Sequence, residues 1–512
     1  MAADGTKVQH RGLITVCVML ATIMQALDTT IANVALPYMM GSLSATLDQI
    51  NWVLTSYIVA AAIMTPVTGF LTARFGRKRV FLTTVVGFTA ASVLCGMAGS
   101  LEQMVLFRLL QGVFGAPLVP LSQSVLLDSY PKERHGSAMA LWGVGVMVGP
   151  ILGPTLGGWL TEAYNWRWVF YINLPVGILT FLGLSAFLGE THVSKIRLDW
   201  LGFLSLSLGI GALQMMLDRG EQLDWFASTE IMFEAALAVL GFYLFLVQTF
   251  TAEKPFLDPR IFRDRNFAVG VTLIFVVGII LLATLALLTP YLQNLMGYPV
   301  LTAGEILAPR GIGTMIAMMI CGRIMSRVDP RFLLVLGFGL SATALWEMSG
   351  FTPDISQWTL IRTGLTQGAG LGFMFVPLST ITFATLKPEL RTQGTALYSL
   401  FRNIGASIGI SFVVFMLSRN TQIMHASLVE HITPLNEALR QPGVSQAWNL
   451  GTAAGRAALN AEVTRQATII AYANDFKMMM IISLAALPLI LLLAGGKQGG
   501  KQDEAPANAV LE

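Results

Sequence analysis

The apolar residues of this chain are grouped into fourteen long runs separated by polar segments. The runs occupy residues 13–36, 50–72, 80–98, 103–127, 138–160, 168–188, 200–217, 230–249, 267–290, 303–322, 332–350, 358–385, 394–417 and 468–494. A helix of about 20 apolar residues crosses the roughly 30 Å hydrocarbon core of a bilayer. In lipid, backbone groups must be hydrogen-bonded within the protein, which favours helices. The pattern therefore predicts an all-α polytopic membrane protein with fourteen transmembrane helices.

The composition excludes a soluble protein of several domains. Of the 512 residues, 54% are hydrophobic and only 12% are charged, whereas about 25% of the residues in a soluble domain are charged. The first run is too long for a removable signal peptide and lacks a small-residue cleavage site. Cys17, Cys95 and Cys321 all lie in apolar runs, so their spacing indicates neither a disulfide framework nor a metal site.

Positive charge is distributed unevenly between alternate loops. Most of the 32 lysines and arginines lie at the two termini and in one set of alternate loops, while the short loops of the other set hold only Arg167 and Arg219. Loops rich in Lys and Arg tend to stay in the cytoplasm. We therefore expect both termini to be cytoplasmic and the long polar segment 418–467 to lie across the membrane from them.

Two polar loop sequences occur twice at a nearly constant offset. GFLTARFGRKR (69–79) resembles GRIMSRVDPR (322–331), and PLSQSVLLDSYPKER (120–134) resembles PLSTITFATLKPELR (377–391). Parallel repeats of this kind are known in transporters. The repeat predicts a cytoplasmic N-terminus 1–12, an N-terminal six-helix bundle 13–188, an inserted two-helix linker 189–266, a C-terminal six-helix bundle 267–495 that includes the loop 418–467, and a cytoplasmic tail 496–512.

Five sequence motifs resemble those of the major facilitator superfamily, in particular its fourteen-span drug:proton antiporters of the EmrB/QacA type. The motifs are LDTTIANVALP (27–37), GFLTARFGRKR (69–79), RLLQGVFG (108–115), GVGVMVGPILGPTLGG (143–158) and NWRWVFYINLPVG (165–177). GALQMMLDRGEQLDWF (211–226), in the inserted pair, resembles the EmrB branch. The resemblance implies the major facilitator fold, with two six-helix bundles and two inserted helices.

The same resemblance implies multidrug efflux by proton-coupled antiport in a bacterial inner membrane. It implies hydrophobic toxic compounds as cargo, the proton gradient as the energy source, and a tripartite system with an EmrA-like periplasmic adaptor and an outer-membrane channel. The segment 418–467 is then a candidate docking surface for the adaptor. We expect no enzymatic activity, cofactor, metal or nucleic-acid partner.

Two alternatives to multidrug efflux remain open at this stage. One is export of a specific endogenous metabolite, such as a siderophore, a fatty acid or a lipid precursor. The other is a membrane sensor that transports nothing.

An ionisable residue inside a membrane span is a candidate functional residue because burying its charge in lipid is costly. Asp28 lies beyond the middle of the first run, and Arg108 lies a few residues into the fourth run, which crosses in the opposite direction. Both therefore fall in the outer half of the membrane and are expected to meet. We predict that Asp28 and Arg108 form the proton-coupling site, with Gln111 as a polar neighbour.

Other ionisable residues lie in the second half of the chain. Glu305 and Arg310 form a candidate substrate or proton site, or else a local structural pair. Glu347 is expected at the membrane interface, and Arg402 is expected to pair with carbonyls or acids on the cytoplasmic side. Asp475 and Lys477 are expected to point in different directions.

The loop 69–79 is the candidate cytoplasmic gate. The resemblance assigns this role to Gly69, Arg74, Gly76 and Arg77, but the chain has Ala73 where the family motif usually has an acid. We expect Asp128, at the end of the fourth run, to supply the missing acid by pairing with Arg74.

The candidate antiporter motif is rich in glycine and proline at helical spacing, with Gly145, Gly149, Pro150, Gly153, Pro154, Gly157 and Gly158. Glycines four residues apart form a smooth helix face that permits close approach of a second helix. Prolines in a membrane helix allow a bend. We predict a tightly packed, bendable seam between the two halves, with packing alone as the alternative role.

Overall fold

The structure is a computed structural model that describes residues 10–191, 193, 197–433, 439, 441, 444 and 448–494; the side chains of residues 47, 48, 132, 154, 300 and 301 are also outside the description. Thirteen helices in this part of the chain are long and apolar enough to cross a membrane. Two helices that meet at a 55° bend, Trp52–Met64 and Thr68–Phe75, are apolar enough together, and counting them as one broken span gives fourteen. The prediction of fourteen helical spans is therefore confirmed.

In the described part of the first half, eight helices have eight residues or more. They are α1 (Arg11–Ser42), α2 (Trp52–Met64), α3 (Thr68–Phe75), α4 (Arg77–Met97), α5 (Leu101–Gly115), α6 (Leu118–Ser129), α7 (His135–Ala163) and α8 (Asn173–Phe187). The bent pair α2–α3 and the pair α5–α6 each form one span. Gly76 separates α3 from α4 with φ of +86°, a backbone conformation that glycine adopts without the steric cost of a side chain.

The inserted pair consists of α9 (Trp200–Arg219) and α10 (Thr229–Thr251). The two helices approach closely at glycines, because a Cβ added to Gly241 would lie 2.7 Å from Cα of Gly209. One side of α10 exposes large apolar side chains, including Phe233, Tyr243 and Phe250, which suits a face in contact with lipid. α9 lies between α10 and the rest of the protein.

In the described part of the second half, six helices have eight residues or more. They are α11 (Arg265–Pro290), α12 (Val300–Ile324), α13 (Pro330–Met348), α14 (Gln357–Ala384), α15 (Arg391–Glu430) and α16 (Ala453–Ala485). α11 continues into a π-helix, Tyr291–Leu295.

Helices α15 and α16 extend beyond the apolar runs that the sequence shows. The 40 residues of α15 span about 60 Å at about 1.5 Å per residue, roughly twice the hydrocarbon core. The far ends of the two helices are joined by a hydrogen bond of 3.0 Å between His425 Nε2 and Asn460 Oδ1. Much of the polar segment 418–467 is thus helical, although 434–438, 440, 442, 443 and 445–447 lie outside the described residues.

The two halves contact each other along α7 and α12 and at one end of the bundle. We call this end, which carries the loops 73–79, 131–137, 323–331 and 386–392, the basic end. Ser124 and Thr392 are hydrogen-bonded there at 3.1 Å between their Oγ atoms. A Cβ added to Gly69 would lie 3.1 Å from Cα of Gln393. Side chains and backbone from both halves therefore pack directly together at the basic end.

Candidate functional site

Asp28 and Arg108 form a buried ion pair inside the first half. Asp28 lies on α1 and Arg108 on α5, and Arg108 Nη1 donates to Asp28 Oδ2 at 2.7 Å. The two side chains are 0% and 1% exposed, respectively. The expectation that these residues meet is confirmed. A pair this deeply buried persists only with good geometry and further hydrogen bonds that compensate for lost hydration.

Two amides complete the surroundings of the Asp28 carboxylate. Gln111 Nε2, one turn along α5 from Arg108, donates to Asp28 Oδ1 at 2.8 Å. Asn173 Nδ2, at the start of α8, donates to the same oxygen at 2.9 Å, and also to Ser92 Oγ. The carboxylate therefore links α1, α5 and α8 through three donors. The contact with Gln111 was predicted from the sequence, whereas the one with Asn173 was not, although Asn173 is a polar amide inside the apolar run 168–188.

The Arg108 guanidinium has partners besides Asp28. Its Nε donates to the Val53 carbonyl at 3.0 Å and its Nη1 to Gln111 Oε1 at 2.8 Å. The Tyr57 ring centroid lies 4.4 Å from Arg108 Cζ, which is within the range of a cation–π contact. The guanidinium is thus held by α2 as well as by α1. A change in the charge of Asp28 would therefore alter the contacts of several helices together.

The glycine face of α7 packs against α1, the helix that carries Asp28. A Cβ added to Gly149 would lie 2.9 Å from Cβ of Ala26 and closer still to the Ala26 carbonyl; one added to Gly153 would lie 2.8 Å from Cβ of Thr30. Thr30 Oγ1 also donates to the Gly149 carbonyl at 2.9 Å. Gly145 and Gly157 likewise abut α1, whereas Gly158 faces open space.

The predicted seam between the halves is therefore wrong for these four glycines, because α1 and α7 belong to the same half. Contact between the halves uses other faces of α7: positions Gly136 and Gly143 abut Met325 and Met318 of the second half. Helix α7 is continuous through Pro150 and Pro154, so neither proline interrupts it; the Pro154 side chain lies outside the described part.

At the basic end, Asp128 pairs with two arginines. Arg77 forms an ion pair with one carboxylate oxygen, and Arg391 Nη1, from the second half, donates to the other at 2.7 Å. From the sequence we expected Asp128 to pair with Arg74. The structure pairs it with Arg77 of the same loop, so that prediction is wrong. The reason is geometric: Arg77 follows the Gly76 turn and begins α4. Asp128 consequently joins the two halves.

Glu305 and Arg310 are not brought together. Glu305 is exposed, whereas Arg310 is buried and donates from Nη2 to the Leu281 carbonyl of α11 at 2.8 Å. Their five-residue separation on α12 places them on different faces, since a helix completes a turn every 3.6 residues. The expectation of a local Glu305–Arg310 pair is wrong.

The remaining ionisable residues have separate surroundings. Glu347 pairs with Arg362 at 3.1 Å near the end of α13. The Arg402 guanidinium lies beside the Asn403 side chain and 5.9 Å from the Phe375 ring centroid. Asp475 is fully buried and accepts a hydrogen bond from Asn420 Nδ2 at 3.1 Å. Lys477 is exposed. The two side chains therefore point in different directions, as predicted.

Comparisons with known proteins agree with this architecture. The Major Facilitator Superfamily profile matches residues 18–410. The chain is 37% identical over 498 residues to the multidrug export protein EmrB of Escherichia coli strain K12, covering 95% of this chain and 97% of that protein. It is 36% identical to the fatty acid resistance protein FarB of Neisseria gonorrhoeae, covering 94% and 95%.

Among solved structures, the proton:xylose symporter XylE superposes with a TM-score of 0.62, covering 96% of this chain and 97% of XylE, at 12% identity. At that identity the likeness bears on the fold alone. The fold, the profile match over most of the chain and the full-length similarity to EmrB together show that this polytopic membrane protein belongs to the major facilitator superfamily, among its EmrB-type members.

Proposed function

We propose that this protein exports hydrophobic toxic compounds across a bacterial inner membrane in exchange for protons. The observation that carries the proposal is the buried Asp28 carboxylate, held by Arg108, Gln111 and Asn173 from two other helices. The similarity to proteins named for multidrug export supports hydrophobic compounds as cargo.

Protonation of Asp28 provides a physical route to coupling. A proton on the carboxylate removes the negative charge that compensates Arg108, which is 1% exposed. An uncompensated buried charge costs about 3–5 kcal/mol, so the protonated protein favours a state in which Arg108 gains water or another partner. Because the carboxylate links α1, α5 and α8, this change moves helices as well as a side chain.

The contacts at the basic end provide a gate that can close and open during the transport cycle. Asp128–Arg391, Ser124–Thr392 and the Gly69–Gln393 approach close this end between the halves. We infer that the basic end is cytoplasmic, as its positive charge indicates, and that the structure has the conformation closed toward the cytoplasm. Loss of these contacts would open the cargo path to the cytoplasm.

We further propose that the extensions of α15 and α16 bind a periplasmic adaptor of an EmrA-like kind, which leads to an outer-membrane channel. The extensions lie at the opposite end from the basic end and form a helical pair joined by the His425–Asn460 hydrogen bond. A pull-down with the intact protein should recover the adaptor, and a variant shortened in both extensions should not. Full export by the shortened variant in cells would contradict an obligatory adaptor.

Replacement of Asp28 by asparagine tests the proton coupling. Asparagine keeps the size of the side chain and one acceptor oxygen but cannot take up a proton. We expect inverted membrane vesicles with the wild-type protein to accumulate the hydrophobic dye Hoechst 33342 when a proton gradient is imposed, and Asp28→Asn vesicles not to do so. Asp354→Asn, which changes an exposed acid between α13 and α14, is the matched control.

Two outcomes would contradict the proposal. Equal dye accumulation after the gradient is collapsed would exclude proton-driven export. Full activity of Asp28→Asn would remove Asp28 from the mechanism, and an intact cellular response without any transport would favour the sensor alternative.

A second candidate function is export of fatty acids. It is favoured by the 36% identity to the fatty acid resistance protein of Neisseria gonorrhoeae over 488 residues. Competition between dodecanoate and the dye in the same vesicles distinguishes a shared route from a dedicated one.

A further inference from the structure

The second half contains a structural counterpart of the Asp28 site. The sequence LLQG at 109–112 corresponds to LTQG at 365–368, with an offset of 256 residues. In both copies the glycine lets the helix backbones touch. A Cβ on Gly112 would lie 2.5 Å from the Tyr57 carbonyl oxygen, and one on Gly368 would lie 2.8 Å from the Arg310 carbonyl carbon. α5 therefore meets α2 in the same way as α14 meets α12.

The same offset places Thr284 of α11 where the first half has Asp28. The hydrogen bonds agree with this correspondence: Gln111 Nε2 donates to Asp28 Oδ1 at 2.8 Å, and Gln367 Nε2 donates to Thr284 Oγ1 at 3.0 Å. The second site thus keeps the amide but has a neutral hydroxyl in place of the carboxylate.

The second site also keeps a cation, but on a different helix. Gly364 occupies the position of Arg108, and a Cβ there would lie 3.8 Å from Cβ of Arg310. The helix that carries Gly364 therefore packs directly against Arg310. A guanidinium is therefore present in both halves, whereas among the described residues a carboxylate accompanies it only in the first.

Polar atoms at the second site lack partners. Arg310 is 7% exposed, yet its Nε donor has no hydrogen-bond partner in the described part of the chain. Gln367 Oε1 also lacks a partner there, but an amide oxygen is an acceptor and needs a donor rather than an anion. Arg310 belongs to none of the ion pairs formed by the described residues. A buried guanidinium without an anion is costly, so the site is incomplete without a negative charge.

We propose that Arg310, Gln367 and Thr284 form an anion-binding site that takes the carboxylate of a hydrophobic weak acid. The carboxylate of the ligand pairs with Arg310 and supplies the negative charge that Asp28 supplies in the first half. The planar guanidinium fork matches a carboxylate. The inference rests on the proposed export function in one respect, namely that the bound acid is taken to be cargo. Binding itself is measured without transport.

Dodecanoate and dodecanamide are suitable probes because they share an alkyl chain and differ in headgroup charge. We expect the purified wild-type protein to bind dodecanoate more tightly than dodecanamide in isothermal titration calorimetry. A hydrogen bond to a charged group contributes about 1.5–3 kcal/mol. Arg310→Gln should therefore weaken dodecanoate binding by about 10-fold to 100-fold and leave dodecanamide binding nearly unchanged.

A second variant tests the same site with Arg310 intact. Thr284→Asp places a carboxylate where the repeat has Asp28, so it should neutralise Arg310 internally and weaken dodecanoate binding. Thr284→Asn, of similar size and uncharged, is the matched comparison: it changes the same position without adding a charge, so it should keep more dodecanoate binding than Thr284→Asp. Thermal melting of each variant identifies any that fails to fold.

Three results would overturn the site. They are equal binding of the two probes by the wild-type protein, an equal loss of both in Arg310→Gln, and unchanged dodecanoate binding in a folded Thr284→Asp protein. Failure of the export function gives a different result: dodecanoate still binds with the expected charge preference, but proteoliposomes do not transport it.

Discussion

The close contact between α7 and α1 makes a sharp prediction about Gly149. An added methyl carbon would lie 2.9 Å from Cβ of Ala26 and nearer to its carbonyl, well below the roughly 3.5 Å at which nonbonded carbons attract. The two nearest atoms are the backbone carbonyl oxygen and carbon of Ala26 in α1. Because backbone atoms cannot rotate away, the clash is relieved only if α1 and α7 move apart by roughly 1 Å. Overpacking of this kind costs about 1–3 kcal/mol.

The consequence should reach the Asp28 site because Ala26 precedes Asp28 by only two residues on α1. The carboxylate's hydrogen bonds are 2.7–2.9 Å long, so a shift of roughly 1 Å would weaken them. We expect Gly149→Ala to lower both the melting temperature of the purified protein and the rate of dye export.

Gly158→Ala is a matched control on the same helix. A Cβ at this position meets nothing within 4 Å, and alanine is the better helix former by about 1 kcal/mol. Its stability and export should equal or exceed those of the wild type. Equal melting temperatures for Gly149→Ala and Gly158→Ala would refute the close-packing argument.

Three further predictions concern the ion pairs and the basic end. Arg108→Leu should destabilise the protein by about 3–5 kcal/mol because Asp28 loses its buried partner; chemical unfolding measures this, and the double variant with Asp28→Asn should recover part of the loss. A cysteine pair at Ser124 and Thr392, whose Oγ atoms are 3.1 Å apart, should form a disulfide that stops dye export until it is reduced; continued export in the oxidised protein would contradict a moving basic end. Asp128→Ala should lower the yield of that disulfide a few-fold, since each partly exposed ion pair contributes at most about 1 kcal/mol; an unchanged yield would remove Asp128 from closure.

The candidate site could be predicted in part because depth in a membrane follows from position along a span. Counting residues from the ends of two oppositely directed runs places Asp28 and Arg108 at similar depth, and the structure pairs them. Depth says nothing about rotation around the helix axis. Asn173 was missed for that reason, and Glu305 and Arg310 were paired although they lie on different faces of α12.

The glycine face of α7 illustrates the same limit. Four-residue spacing indicates that some helix approaches closely, but every neighbour of α7 satisfies that pattern equally well. Only the packed bundle shows that the neighbour is α1. Likewise, the loop 73–79 contains three arginines that could pair with Asp128. The turn at Gly76 places Arg77 at the start of α4, and Arg77 is the one that pairs.

The sequence by itself determined the helical class, the number of spans, the twofold repeat and the family. These follow from the apolar composition of segments in lipid and from motifs in connecting loops, which are properties of local sequence. The tertiary structure decided which faces meet: it joined Asp28 to Asn173, set the glycines of α7 against α1, and placed Arg310 on the Leu281 carbonyl without a carboxylate among the described residues. Such contacts depend on the rotation and crossing of whole helices, which only the simultaneous packing of all their neighbours determines.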